Sequence, residues 1–275
     1  CVPPRGIEHP IVLETLGESP KVFYAHNFLS DDEADALVAF AQNPQENPYS
    51  LRPSTTGHKS WNQGGEEKTN SQRTSLNGFD VSSPNGLRLK RRAFQLARID
   101  PFFEGMADGI QVLRYAPSQA YVPHTDYFGY QTSPDHNWDS RDGGTNRFAT
   151  VFLYLSDVEA GGETVFPKAN TLHNRTQQLA SAGNRDPPPS SESEEKVLST
   201  GSWEEKMAET CSSQFAVNPK KGDALLFYSQ QPNGTLDEMS LHGGCPVLSG
   251  VKWAANVWIW NGCRYSVCEN KPKLK

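Results

Sequence analysis

The feature that most constrains the fold of this chain is a series of short β-rich runs that begins after residue 108. Several of these runs alternate apolar and polar residues, a pattern typical of strands that bury one face. Turns separate the runs, which favours a sandwich or jelly roll over strand–helix–strand units with a parallel sheet. The runs span residues 110–115, 148–155, 215–217, 224–228 and 251–260.

The N-terminal third adds a strand and two helices to this pattern. The strand is predicted at residues 22–24. The first helix follows a predicted capping box, in which the side chains of Ser30 and Glu33 each satisfy a free backbone N–H group. The second helix starts near Ser83, and we interpret its basic cluster at residues 88–92 as a solvated face. The stripe expected to be buried in the first helix is Ala34, Leu37, Val38 and Ala41.

Length and composition allow one large domain or two small ones. The chain has 275 residues, of which 36% are hydrophobic and 21% are charged. We interpret residues 1–20, which hold four prolines, as an extended N-terminal arm, residues 21–262 as a single domain and residues 263–275 as a C-terminal tail. Within the domain, residues 168–210 include a proline run and a serine- and glutamate-rich run, and they are predicted to form a mobile polar insertion.

Charge and hydropathy argue against two classes of partner. The net charge of -6, from 32 acidic and 26 basic residues, disfavours nucleic acid, because phosphate binding needs an excess of Lys and Arg. No apolar run approaches the roughly 20 residues that span a bilayer, so no membrane contact is expected of these residues.

Three features concern the compartment in which the protein works. Acceptor sequons at Asn174 and Asn233 are compatible with a glycoprotein of the endoplasmic reticulum or the secretory pathway. The chain begins at Cys1 without an apolar signal core, which suggests that a targeting or anchoring segment has been removed. The five cysteines include neither a CxxC pair nor a Cys/His zinc spacing.

A possible metal site begins with His124 and Asp126, which follow a predicted strand. In extended backbone, residues two apart project to the same side. An imidazole and a carboxylate placed in this way supply two thirds of a facial triad, which binds Fe(II) and leaves other positions open. His242, beside two glycines, offers the third ligand. A hydrogen-bonded surface pair is the alternative reading of His124 and Asp126.

Lys252 lies in the apolar run 251–260, ten residues after His242. Burying a lysine costs free energy unless the ammonium group meets a fixed anion. The distal carboxylate of 2-oxoglutarate would be such an anion. The alternative is a lysine that extends to the edge of the sheet, with its charge in water.

Over roughly residues 20–262 the chain resembles the prolyl 4-hydroxylase family, most closely its plant and algal members. The matching stretches are residues 24–30, 73–75, 111–128, 154–167, 222–227 and 241–247. The resemblance implies a mainly β fold with flanking helices, namely a double-stranded β-helix or jelly roll. It also implies that residues 21–262 form one dioxygenase domain.

The activity implied by the resemblance is peptidyl-proline 4-hydroxylation of a proline-rich secreted protein in the endoplasmic reticulum. Oxidative decarboxylation of 2-oxoglutarate would be coupled to hydroxylation, with Fe(II), O2 and ascorbate as reductant. Three alternatives stay open: the same chemistry on another residue or a regulatory protein, a catalytically silent module that binds proline-rich peptides, and a zinc hydrolase. The hydrolase would have no need of Lys252.

The resemblance also implies roles for other side chains. His124, Asp126 and His242 would bind the metal, and Tyr115 and Thr150 would join Lys252 on the carboxylate of 2-oxoglutarate. The residues implied to line the peptide groove are Arg73, Tyr121, Arg147 and Trp258. Trp260 stands where the family commonly has a histidine on the substrate side, which puts the peptide preference in doubt.

Cys211 and Cys245 match cysteines of the plant members. Together with Cys263 and Cys268 they allow three connectivities, and we expect bonds among these four, with Cys1 left over.

Overall fold

The computed structural model describes residues 9–54, 73–134, 136–171 and 197–264. Within these ranges the α-helices are α1 Asp31–Gln42, α2 Pro84–Leu96 and α3 Trp203–Ser213. The strands are β1 Val12–Ser19, β2 Lys21–His26, β3 Arg52–Pro53, β4 Leu76–Asp80, β5 Ile110–Tyr115, β6 Tyr121–His124, β7 Arg147–Tyr154, β8 Ala160–Gly161, β9 Thr164–Phe166, β10 Asn170–Thr171, β11 Phe215–Val217, β12 Ala224–Tyr228, β13 His242–Gly244, β14 Val247–Ser249 and β15 Lys252–Trp260. None of these helices is long and apolar enough to cross a membrane.

The strands assemble into a major sheet and a minor sheet. The major sheet has the order β10-β1-β2-β12-β7-β15-β5-β4-β3, and the minor sheet has the order β11-β9-β13-β6. A separate pair joins β14 to β8. Neighbouring strands in both sheets are antiparallel. Two antiparallel sheets that enclose a core agree with the predicted jelly roll.

Strand β7 shows how the major sheet divides the core, because successive side chains of a strand point to opposite faces. Val151 and Leu153 pack in a cluster with Leu37 of α1 and Leu89 of α2. On the opposite face, Phe152 and Tyr154 pack in a cluster with apolar residues of β9 and β11. The major sheet therefore lies between the helix pair α1 and α2 and the minor sheet, as expected for a mainly β fold with flanking helices.

The local predictions for the first helix and the strands are confirmed. Ser30 and Glu33 form the capping box, and three residues of the predicted stripe, Ala34, Leu37 and Ala41, are fully buried. The strands predicted at residues 110–115, 215–217 and 224–228 have those bounds. The capping box and the alternation of apolar and polar residues were sufficient for these predictions, because each depends on only a few neighbouring residues.

The N-terminal segment predicted as a separate arm is instead part of the sheet. Strand β1 pairs with β2 from Val12 opposite His26 to Glu18 opposite Lys21. The predicted boundary at residue 20 is therefore wrong, and the domain includes at least residues 12–19. The prolines that suggested an arm lie outside the strand itself.

The predicted insertion at 168–210 is also too long at its C-terminal end. Residues 172–196 lie outside the described ranges, but helix α3 starts at Trp203 with Ser202 as its N-cap. The helix buries Met207 and Cys211. The segment is polar in composition, so its sequence did not indicate that these two side chains are buried.

The basic cluster of α2 is not a solvated face at two positions. Lys90 and Arg92 are both buried. Lys90 Nζ lies 2.7 Å from a carboxylate oxygen of Glu104. The Arg92 guanidinium donates to both carboxylate oxygens of Glu33, at 2.7 and 2.8 Å, and to the carbonyl of Phe28. Arg92 and Glu33 thus connect the two helices through a buried ion pair.

We predict that Glu33→Ala lowers the free energy of unfolding by about 3–5 kcal/mol, because it leaves the Arg92 charge buried without its partner. Urea unfolding followed by circular dichroism measures the change. The matched control is Asp35→Ala, which removes an exposed ion pair with Lys221 from the same helix and should cost less than about 1 kcal/mol. Equal effects of the two substitutions would contradict the prediction.

Candidate active site

Pairing between two strands of the minor sheet brings the candidate metal ligands together. His124, the last residue of β6, is paired with His242, the first residue of β13, and their ring centroids are 4.5 Å apart. Asp126 Oδ1 lies 3.8 Å from His124 Nε2, and Asp126 Oδ2 lies 3.6 Å from His242 Nε2. One ligand atom from each residue lies within 4.8 Å of the other two.

Backbone carbonyls orient both imidazole rings. His124 Nδ1 donates to the carbonyl of Val122 at 3.0 Å, and His242 Nδ1 donates to the carbonyl of Ser240 at 2.9 Å. A proton on Nδ1 leaves the lone pair of Nε2 free to bind a metal. Both lone pairs are therefore available on the side where the Asp126 carboxylate lies.

The protonation states suit a cation at the centre of this group. Burial, together with the neighbouring His242, lowers the pKa of His124, so its imidazole is neutral at physiological pH. Burial alone would raise the pKa of Asp126, but His242 and His124 outweigh it and hold that pKa below its usual value. Two imidazoles and one carboxylate form the donor set that suits Fe(II) with open coordination positions. The residues present therefore fit the metal.

Two residues of β7 donate hydrogen bonds to Asp126. The Thr150 hydroxyl donates to Asp126 Oδ2 at 2.6 Å, and Arg147 Nη1 donates to the backbone carbonyl of Asp126 at 3.3 Å. Thr150 is fully buried and does not line the cavity. The prediction that Thr150 joins Lys252 on a carboxylate is corrected here, because its hydroxyl already binds the carboxylate of Asp126.

A cavity of about 140 Å³ opens beside the three candidate ligands. It reaches from Lys252 at one end of β15 past Asn256 to Trp258. These three residues share one face of the strand, because side chains that are two apart point the same way. The cavity is thus bounded on one side by β15.

Lys252 is the most unusual residue of this cavity. It is 1% exposed, so it does not extend to the edge of the sheet as the alternative reading required. Its ammonium group lies among the rings of Tyr115, Phe152 and Tyr154, at 5.3–5.8 Å from their centroids. Lys252 Nζ makes no hydrogen bond or ion pair with any residue in the described ranges. Burial lowers the pKa of Lys252 to about 8.

Two hydroxyl groups line the same part of the cavity. Tyr115 is paired with Lys252 across β5 and β15, and burial raises the pKa of its phenol, which therefore stays protonated. Thr164 of β9 accepts a hydrogen bond from the Tyr154 hydroxyl at 3.0 Å, so its own proton remains available. Thr164 was not among the predicted site residues, although it lies in the matching stretch 154–167.

The four residues expected in a peptide groove all line the cavity. The Tyr121 ring stacks on His124 with centroids 3.8 Å apart, and the Arg73 guanidinium lies 4.7 Å from the Tyr121 centroid. The Arg147 guanidinium lies 3.6 Å from the centroid of Trp258. Buried Asp108, which the sequence analysis also missed, accepts hydrogen bonds from Arg147 and Arg264.

Trp260 does not line the cavity, although it follows Trp258 on the same face of β15. It is 1% exposed and packs against Phe128 and His136, with ring centroids 5.9 and 5.5 Å away. Phe128 in turn lies beside Arg147, which lines the cavity, so Trp260 is one side chain removed from the cavity lining.

A disulfide bond joins the last turn of helix α3 to the segment just after His242. Cys211 and Cys245 are bonded, in agreement with the expectation for these two residues, and Cys268 lies outside the described ranges. Both cysteines are buried in a cluster with Val165 and Met207. The bond therefore fixes α3 against the strand that carries the third candidate ligand.

We predict that the double variant Cys211→Ala and Cys245→Ala loses about 3–4 kcal/mol of unfolding free energy, because the bond closes a loop with a sequence separation of 34. Guanidinium unfolding at fixed pH measures the loss. The control is Met207→Leu, which conserves volume in the same cluster and should cost less than about 1.5 kcal/mol. The entropy of loop closure predicts a larger loss than about 1 kcal/mol. A smaller measured loss would therefore show that the bond does not constrain the unfolded chain.

The chain is similar to known proteins over most of its length. The family model described as the 2OG-Fe(II) oxygenase superfamily matches residues 110–260. The chain is 33% identical to probable prolyl 4-hydroxylase 3 of Arabidopsis thaliana over 249 residues, which cover 90% of this chain and 72% of that protein. It is 32% identical to prolyl 4-hydroxylase 5 of the same plant over 248 residues, which cover 90% and 70%.

Among solved structures, a truncated form of the viral collagen prolyl hydroxylase from Paramecium Bursaria Chlorella virus-1 is similar in fold. The TM-score is 0.51 at 20% identity, and the match covers 94% of this chain and 97% of that chain. This likeness supports the jelly-roll fold.

Proposed function

Because the chain belongs to the prolyl 4-hydroxylase family of 2-oxoglutarate and Fe(II) dependent oxygenases, we propose that it hydroxylates proline in a proline-rich secreted protein. The observation that carries the proposal is the combination, in one cavity, of a two-histidine, one-carboxylate group with a buried lysine that has no hydrogen-bond or ion-pair partner among the described residues. A zinc hydrolase would use the first feature and has no use for the second.

Each side chain in the proposal has a part that follows from its position. Fe(II) held by His124, Asp126 and His242 would, with 2-oxoglutarate and O2, supply the oxidation that replaces a proline C–H with C–OH. Lys252 would neutralise the distal carboxylate of 2-oxoglutarate, and the hydroxyl groups of Tyr115 and Thr164 would donate hydrogen bonds to it.

The remaining lining residues would hold the peptide. Tyr121 and Trp258 offer aromatic faces to a proline ring, and Arg73 and Arg147 offer N–H donors to backbone carbonyl groups. Asp108 holds Arg147 in place through two hydrogen bonds, at 2.9 and 3.1 Å. Positioning of one C–H bond in the cavity would be the main task of these residues.

We also propose a secretory compartment, with ascorbate as the reductant, and two further features support the compartment. The Cys211–Cys245 bond is of a kind that persists in oxidising compartments. Asn233 is exposed, and its side-chain carbonyl accepts a hydrogen bond from Thr235 at 2.7 Å, so the sequon is accessible to glycosylation. The sequon at Asn174 lies outside the described ranges.

Mass spectrometry of proline-rich peptides incubated with the protein, Fe(II), 2-oxoglutarate and ascorbate tests the proposal. We expect one added oxygen atom on proline, and no addition when 2-oxoglutarate is omitted. Succinate release without oxidised proline would instead indicate another substrate. Peptide binding without succinate release, and with no metal bound to the wild type, would indicate a silent binding module.

A further inference from the structure

Two side-chain amides line the cavity beside the residues proposed to hold the peptide. Gln111 of β5 and Asn256 of β15 are directly paired across the major sheet. They are 5% and 8% exposed, so each amide is buried apart from its contact with the cavity. A buried amide normally uses its hydrogen-bonding atoms, because an unpaired one costs free energy.

The hydrogen bonds of this pair determine which atom of each amide is oxygen. Arg73 Nη2 lies 3.2 Å from the Gln111 side chain, and a guanidinium can only donate, so the facing atom is Oε1. The same oxygen lies 3.3 Å from the Asn256 amide, and the facing atom of Asn256 is therefore Nδ2. No alternative orientation of either amide satisfies both contacts.

This arrangement leaves one donor and one acceptor. Gln111 Nε2 and Asn256 Oδ1 make no hydrogen bond with any residue in the described part of the chain. Water in the cavity can serve them in the free protein, but a ligand that displaces this water must replace both bonds. The complement of a donor beside an acceptor is a secondary amide, which has one C=O and one N–H.

The position of the pair indicates which ligand brings that amide. Asn256 is two residues from Trp258 and four from Lys252 along β15, or roughly 7 and 13 Å. The pair therefore lies towards the peptide side. The carboxylate and keto oxygens of 2-oxoglutarate only accept hydrogen bonds at neutral pH, so they cannot satisfy Asn256 Oδ1.

We propose that Gln111 and Asn256 bind one backbone peptide group of the substrate, with Gln111 donating to its C=O and Asn256 accepting from its N–H. This inference rests on the proposed function. A peptide bond that precedes proline has no N–H. The bound peptide group must therefore belong to a residue other than proline, so the protein selects a proline with a non-proline neighbour over uninterrupted polyproline.

The experiment compares two peptides of the repeat Ala-Pro, of which one has N-methylated alanines and therefore lacks every N–H. In the wild type, kcat/KM for proline oxidation should fall by about 10–100-fold on N-methylation, since Asn256 Oδ1 then remains unpaired. In Asn256→Leu the same comparison should give a ratio near one, with KM for 2-oxoglutarate unchanged. Asn85→Leu, which removes an equally buried amide on α2, should keep the wild-type ratio.

Several outcomes would overturn the inference. One is a wild-type ratio near one, and another is a ratio that Asn256→Leu leaves unchanged. A third is a rise in KM for 2-oxoglutarate that exceeds the change for the peptide. If neither peptide is oxidised at proline, the proposed function fails, and the inference is then tested by the ratio of peptide dissociation constants. Tryptophan fluorescence measures both constants, and equal values in the wild type would overturn the inference on their own.

Discussion

Replacing Asp126 with alanine is expected to lower the affinity for Fe(II) by more than about 100-fold and to abolish proline oxidation. Loss of a residue that only supports a metal ligand costs about 10–100-fold in affinity, so loss of a ligand costs more. Asp126 also supplies the only carboxylate among the three residues, so its removal leaves two imidazoles and no anionic ligand. Colorimetric iron determination after equilibrium dialysis measures the affinity.

Thr150 provides the matched controls for this experiment. Thr150→Val removes the 2.6 Å hydrogen bond to Asp126 and should weaken iron binding by about 10–100-fold, whereas Thr150→Ser keeps the hydroxyl and should bind iron as the wild type does. Near-UV circular dichroism checks that each variant is folded. Stoichiometric iron in the folded Asp126→Ala variant at wild-type affinity would show that the metal lies elsewhere.

The second large effect is expected for Lys252→Met, which should raise KM for 2-oxoglutarate by about 100-fold or more. A buried anion that loses its cation pays most of its desolvation cost without compensation. The methionine side chain suits the aromatic rings around position 252, so the fold should be retained and the free protein should be at least as stable. Steady-state kinetics measure KM for 2-oxoglutarate and for the peptide. A larger change in the peptide value would contradict the assignment.

The pKa of Lys252 adds a dependence on pH with a definite sign. Burial lowers this pKa to about 8, so the ammonium form prevails below pH 8 and the neutral amine prevails above it. Binding of the 2-oxoglutarate dianion requires the ammonium form. Its affinity should therefore be constant below pH 8 and fall by about tenfold per unit above it. Lys252→Arg stays charged and should lack this fall, whereas a wild-type affinity that is flat to pH 10 would refute the dependence.

Much of the site could be predicted because its residues have strong local reasons to be where they are. His124 and Asp126 share one side of an extended segment, and Lys252 is out of place in an apolar strand unless it has a partner. The same is true of the capping box at Ser30. In each case a few neighbouring residues are enough to predict the role of the side chain.

The errors arise where a residue finds its partner far along the chain. Arg92 is 59 positions from Glu33, and nothing near Arg92 in the sequence shows that this arginine is buried. Thr150 and Thr164 are both buried threonines in strands. Only the packing of the sheets shows that Thr150 forms a hydrogen bond to Asp126, whereas Thr164 lines the cavity with Lys252. The amide pair of Gln111 and Asn256 likewise exists only after β5 and β15 have paired.

The pairing of His124 with His242 has a consequence for synthesis of the chain. A ribosome releases β6, with His124 and Asp126, long before it releases β13, so the emerging chain holds an incomplete set of ligands. Iron cannot be held tightly until nearly the whole domain has been made and β13 has found its place beside β6. The unfinished chain therefore cannot carry out iron-dependent oxidation, which would damage its own exposed side chains.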